Sequence, residues 1–174
     1  MHAADVVIDI TEVDSSPMYP LGQEFYAPAT SQASVTTSKP PANSGPRVWV
    51  YVFNDEDSGA DFAAGDIIIR DAATTTYDGV IAAASTLYPA MRVMGVAQHA
   101  IADGSYGWIL KKGFGLVKCG DANISANAAI TSGGDAVGCA IDFADGAEEC
   151  VFGLALEAET TNDTTFDAWI NCPG

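Results

Sequence analysis

Val93-Met94-Gly95-Val96-Ala97, reaching Trp108-Ile109 over a short polar stretch, returns later as Val151-Phe152-Gly153-Leu154-Ala155, reaching Trp169-Ile170. In each copy apolar residues flank a single glycine, the residue a strand uses where it must bend or pass close to another backbone. Each copy therefore predicts a β-hairpin, and a hairpin phrase used twice points to a small barrel that the second copy closes at the C-terminus.

Outward from these phrases the strand pattern continues. Val48-Trp49-Val50-Tyr51-Val52-Phe53 is β-branched and aromatic throughout, which suits a strand covered on both faces. Gly65-Asp66 leads into Ile67-Ile68-Ile69, Ala82 to Thr86 fits one short helix or strand, and Gly113-Phe114-Gly115-Leu116-Val117 reads as a further strand. Asp103-Gly104 and Asp145-Gly146 read as hairpin turns. With turn signals this frequent and no sustained helical period, the expected fold is all-β, a small β-barrel or sandwich of short antiparallel strands.

Residues 1–46 differ. Six of the eight prolines fall here, among Ser, Thr and Ala, so this stretch predicts an extended N-terminal arm ahead of a β-barrel domain at 47–174. The arm also carries Met18, Tyr19, Leu21, Phe25 and Tyr26, large apolar groups that need cover. Ordering its backbone costs ~1–2 kcal/mol per residue, so without a surface to cover those side chains it stays disordered. Two readings are open: an arm laid on a partner or neighbouring subunit, with these five as its partner-binding anchors, or an arm folded back on its own barrel.

Composition excludes several partners. Seven Lys and Arg against twenty-three Asp and Glu give a formal charge of −16, a field that repels nucleic-acid backbones and anionic lipid surfaces. No apolar run approaches a membrane span, and the start has neither the basic head nor the apolar run of a secretion signal, so a soluble protein made in a cytoplasm is expected. Cys119, Cys139, Cys150 and Cys172 lack metal-ligand spacing; they read as small buried thiols, with a Cys139–Cys150 cross-strand approach as the alternative.

The residues that carry chemistry are sparse. Gly104-Ser105-Tyr106-Gly107 is not a nucleophile elbow, His99 sits in an alternating strand pattern, and the glycine pairs serve turns rather than phosphate cradles. Asn54, Asp55, Glu56, Asp57, Ser58 and Asp61 are hard-oxygen groups in one loop, but Gly65 stands where a calcium loop needs its bidentate glutamate. Glu148-Glu149 and the Glu157/Glu159 pair read as a solvent face. No catalytic residue, metal or cofactor is expected.

The succession Gly65-Asp66-Ile67-Ile68, Val93 to Ala97, Ala102-Asp103-Gly104-Ser105-Tyr106-Gly107-Trp108-Ile109 and Gly113 to Val117 resembles the capsid decoration, or cement, proteins of tailed bacteriophages over roughly residues 60–174. That resemblance implies a non-enzymatic virion protein, often trimeric, which binds the outer surface of an expanded head and clamps neighbouring major capsid protein subunits. The long arm departs from compact members of that family. The alternative is a glycan-binding surface or fibre module of a virion, in which Trp49, Tyr51, Tyr77, Tyr88 or Tyr106 stacks on sugar rings. A third reading, an enzyme using the acidic loop with a divalent ion, requires a metal-dependent activity.

Overall fold

The computed structural model describes residues 8–27, 45–56, 58–71, 77–121, 123–143 and 148–173. Among them one sheet is built from β1 (Glu24–Ala27), β2 (Arg47–Asn54), β3 (Ile67–Arg70), β4 (Asp78–Ile81), β5 (Val93–Val96), β6 (Tyr106–Lys118), β7 (Ala129–Ser132), β8 (Ala140–Asp142), β9 (Val151–Ala155) and β10 (Thr165–Asn171). Their spatial order is β1-β2-β4-β3-β5-β6-β10-β9-β7-β8, and β2 pairs a second time, with β6. That extra pairing closes β2, β4, β3, β5 and β6 into a five-stranded barrel, as the all-β reading expects. The β2–β4 pairing is parallel.

The apolar run in β2 is covered on both sides. Val50 and Val52 point into the barrel with Phe62, Ile68, Met94 and Ile109, whereas Trp49 and Tyr51 belong to the other core cluster, against which Tyr19, Leu21 and Phe25 pack from outside. Ala82 to Thr86 is neither helix nor a longer strand, and the Asp145-Gly146 turn lies outside the described residues.

The second half of the chain repeats the first, strand for strand. Around the first barrel the neighbours run β2, β6, β5, β3, β4; from β6 onward they run β6, β10, β9, β7, β8. The parallel pair Asn54↔Gly79 returns β4 to the end of β2, and an isolated parallel bridge, Cys119↔Ala140, returns β8 to the end of β6. Single hydrogen bonds repeat as well. Gly65 N–H donates to Ala97 O (2.7 Å) and Ala97 N–H to Asp66 O (2.9 Å); Asn127 N–H donates to Ala155 O (2.9 Å) and Ala155 N–H to Ala128 O (2.9 Å). The bridge Phe62↔Ile101 recurs as Ile124↔Glu159. The 13-residue β6 thus closes the five-stranded barrel with its first half and with its second starts a further ring of strands, here called the second barrel, which only the Cys119↔Ala140 bridge completes.

The two phrases that open the sequence reading are the β5–β6 and β9–β10 hairpins, and their glycines stand in corresponding places. A Cβ on Gly95 would lie 2.7 Å from the carbonyl oxygen of Leu110, and one on Gly153 would lie 2.7 Å from that of Trp169. Each position is closed to any larger residue by backbone, which does not yield as a side chain can. The same correspondence corrects the alignment of the phrases: pairing Phe114↔Trp169 matches Trp49↔Leu110, so the counterpart of Trp169 is Leu110 and not Trp108.

The barrels are also joined across their flanks. Gly138 accepts from Ile67 N–H (2.9 Å) and donates to Ala82 O (2.7 Å), and the nearly buried Asp66 carboxylate forms an ion pair with Lys118. Asp66 also accepts from Ala63 N–H at 2.7 Å, so its charge is held from two directions.

Candidate functional site

The molecule has two corresponding outer faces, one on each barrel. On the first, β2, β6 and β5 present the row Trp49, Leu110, Val96 and, beside it, the pair Tyr51, Trp108, with Gln98 two residues past the end of β5. The apolar side chains of these rows are buried, and the chain's own N-terminal segment lies over Tyr51 and Trp108. Tyr19 meets Tyr51 at 5.3 Å between ring centroids and Trp108 at 5.2 Å, and Phe25 meets Trp108 edge-on at 6.2 Å. Backbone holds the segment too. Gly22 N–H donates to Tyr51 O (2.8 Å), Tyr51 N–H donates to Gln23 O (3.0 Å), and β1 then runs antiparallel to β2 from Glu24↔Val50 to Ala27↔Arg47.

The five anchors expected on the arm therefore do not share one surface. Tyr19, Leu21 and Phe25 are packed onto their own barrel, while Met18 is 65% exposed and Tyr26 62% exposed. Residues 8–27 also contain a strand, β1, that the proline content obscures.

On the second barrel the corresponding rows are Phe114, Trp169, Leu154 and Leu116, Asp167, Leu156. Leu116, Leu154 and Leu156 are 36%, 39% and 38% exposed, and the Phe114 and Trp169 rings meet edge-on at 4.6 Å. A shallow cavity of about 210 Å³ opens beside Leu154 and Trp169, over Gly153. Where Gly22 and Gln23 bond the backbone of Tyr51, the Leu116 backbone is bonded by one side chain: Leu116 N–H donates to Gln98 Oε1 and Gln98 Nε2 donates to Leu116 O, both at 2.9 Å.

No family model and no curated protein matches the chain. Among solved structures, the N base of head fibre gp8.5 from bacteriophage phi29 is similar over 71% of this chain and 94% of that one, with 18% identity and a TM-score of 0.48.

Of the remaining candidates from the sequence, Asp57 and the Glu148 side chain lie outside the described residues, and several of the others make local bonds. In the acidic loop Asn54 Oδ1 accepts from Glu56 N–H (3.2 Å), Glu56 accepts from Ile81 N–H (2.8 Å), and Asp61 accepts from Asp103 N–H (3.0 Å), so these oxygens order the chain around them. Glu157 accepts from Asp167 N–H (3.0 Å). Glu159 accepts from the N–H groups of Thr160 and Thr161, which hold its carboxyl below the usual carboxylate range. Burial lowers the His99 imidazole, whose Nε2 has no hydrogen-bond partner among the described residues. All four cysteines are free and buried, and desolvation pushes the Cys139 thiol up to about 12. Of the aromatics considered for sugar stacking, Trp49 and Tyr51 are buried, Tyr77 lies against Arg70 and Tyr88 against Arg92.

Proposed function

We propose that this chain is a structural protein of a phage virion that sits on the outside of the head, bridges neighbouring major capsid subunits and performs no catalysis. The resemblance of residues 60–174 to decoration proteins supplies the class. The observation that carries the mechanical part is the shared strand: two barrels built on one continuous β6, with backbone bonds and the Lys118–Asp66 pair across their flanks, make a stiff body suited to spanning a joint between subunits. In the acidic loop the oxygens of Asn54 and Asp61 are committed to holding the chain around them, and burial keeps the Cys139 thiol protonated.

In this reading contact with the shell runs through side chains that are exposed on the folded chain, Met18 and Tyr26 among them, and not through Tyr19, Leu21 and Phe25, which the first barrel already covers. The trimeric state belongs to the same proposal. The alternative, a glycan-binding surface or fibre module of a virion, stays open as a fibre module, while its sugar-stacking form is less well supported: Trp49 and Tyr51 are buried, Tyr77 and Tyr88 lie against arginines, and Tyr106 packs on Tyr51 and Phe53.

Particles assembled without this protein test the proposal. Added back, the protein is expected to bind them as a trimer and to raise their survival of heat or osmotic shock. Unchanged survival together with failure to co-sediment would overturn it.

A further inference from the structure

The first barrel shows what its outer face requires, and on the second barrel Gly45 lies against the Phe114 ring while Leu116, Leu154 and Leu156 stay over a third exposed. On the first, an extended segment supplies backbone bonds to Tyr51 and lays apolar side chains over the rows behind it. On the second, Leu116 takes the place of Tyr51 with its backbone bonded by the Gln98 amide, and three leucines stand over a third exposed. One N-terminal segment serves two faces, and it is spent on the first. Residues 28–44 carry Val35 as their one large apolar side chain, a poor match to a leucine surface.

The chemistry at the centre of the second face differs from that of the first in one informative way. Where Trp108 receives the rings of Tyr19 and Phe25, the second face has the carboxylate of Asp167, with Glu157 bonded to its backbone. A carboxylate ringed by leucines favours a cation carried between apolar side chains. The arm of a second copy carries one such cation, Lys39, but its neighbours are Thr37, Ser38, Pro40 and Pro41 rather than large apolar side chains.

We infer that the outer face of β6, β10 and β9 is a docking surface for an extended segment of another protein, with a Lys or Arg seated at Asp167 between apolar residues. The segment adds its backbone at Leu116 in place of the Gln98 amide, in the manner of strand addition. The Gln98 side chain is a stand-in for the missing strand: it satisfies one N–H and one C=O on an edge that would otherwise offer them to any passing chain. The inference does not require the chain to sit on a virion, because it concerns this face alone.

A titration of the full-length protein with two synthetic nine-residue peptides tests it. Both have Leu two positions either side of the centre and Thr elsewhere; one has Lys at the centre, the other Glu. The Lys peptide is expected to shift the amide signals of Leu116 and of the Gln98 side chain while those of Tyr51 and Gly22 stay put. It is expected to bind at least tenfold more weakly to Leu154→Glu and to Leu116→Glu, both changes at exposed positions, and Asp167→Lys should reverse the preference in favour of the Glu peptide. Equal binding of the two peptides to the natural chain, or binding untouched by both leucine variants, would overturn the inference. So would self-association that Leu154→Glu abolishes without any peptide preference, which would assign the face to a second copy.

Discussion

The hydroxyl of Tyr51 donates to Asp14 Oδ2 at 2.5 Å, tying the outer face of β2 to the N-terminal segment 37 residues earlier. The same oxygen accepts from Met18 N–H at 3.3 Å, so one buried phenol fixes two points of the arm. Around it Tyr19, Tyr106 and Trp108 pack at ring distances of 5.3, 6.1 and 5.1 Å.

Tyr51→Phe removes both bonds and keeps the ring. It is expected to cost about 1–3 kcal/mol, since Asp14 is left without its donor, and the loss should fall first on the arm. Amide exchange at Gly22 and proteolysis within residues 8–27 should accelerate well before the barrels open. Unchanged exchange at Gly22 would show that the apolar side chains alone hold the segment.

The same phenol sets an alkaline limit. Burial, and then the bond to Asp14, raise its pKa above the ordinary value near 10, so the fold prefers the neutral form. A group raised on folding contributes stability that is complete below the unfolded value and is lost as pH climbs past it. The melting temperature should therefore fall above about pH 10, and Tyr51→Phe should flatten that limb. Tyr51 should also be the last tyrosine to show phenolate absorbance.

Gly95→Ala and Gly153→Ala each place a methyl group 2.7 Å from a carbonyl oxygen of the neighbouring strand. Each is expected to cost about 1–3 kcal/mol, as overpacking does where backbone must shift. The corresponding positions predict similar penalties in thermal or denaturant unfolding. A harmless change at one glycine and a severe one at the other would mean that the two hairpins are not mechanically alike.

The thiols give a chemical check on burial. Desolvation pushes Cys139 up to about 12 and raises Cys150 and Cys172 as well, so little thiolate is present near neutrality. A thiol-titrating aromatic disulfide should find almost none of the four cysteines in the folded protein and all four in denaturant. Rapid reaction of one cysteine under native conditions would locate a local opening.

Much of the barrel is legible in the residues. Gly95 and Gly153 announce the close approach of two strands, and the unbroken apolar run of β2 announces cover on both faces. The register between the two hairpins is not legible, because the close approach is made to a carbonyl oxygen and any side chain can carry one: Leu110 in one hairpin, Trp169 in the other. For the same reason the duplication is masked, since Asn54 corresponds to Cys119 and Trp108 to Asp167, pairs with no shared chemistry. The apolar character of Tyr19, Leu21 and Phe25 shows that the arm needs a surface, but a segment of that kind looks the same whether the surface is its own or another chain's. The second face escapes a sequence reading altogether. Leu116, Leu154 and Leu156 come together only through strand pairing, and the part played by Gln98 depends on a side chain reaching across 18 residues of sequence.

Because both rings share the strand Tyr106–Lys118, neither half of this protein can be excised whole. A cut between Lys111 and Lys112 would leave each ring short of a stave and expose two raw seams at once. The chain should accordingly melt in a single step, and tension applied to one half should reach the other through that one shared stave.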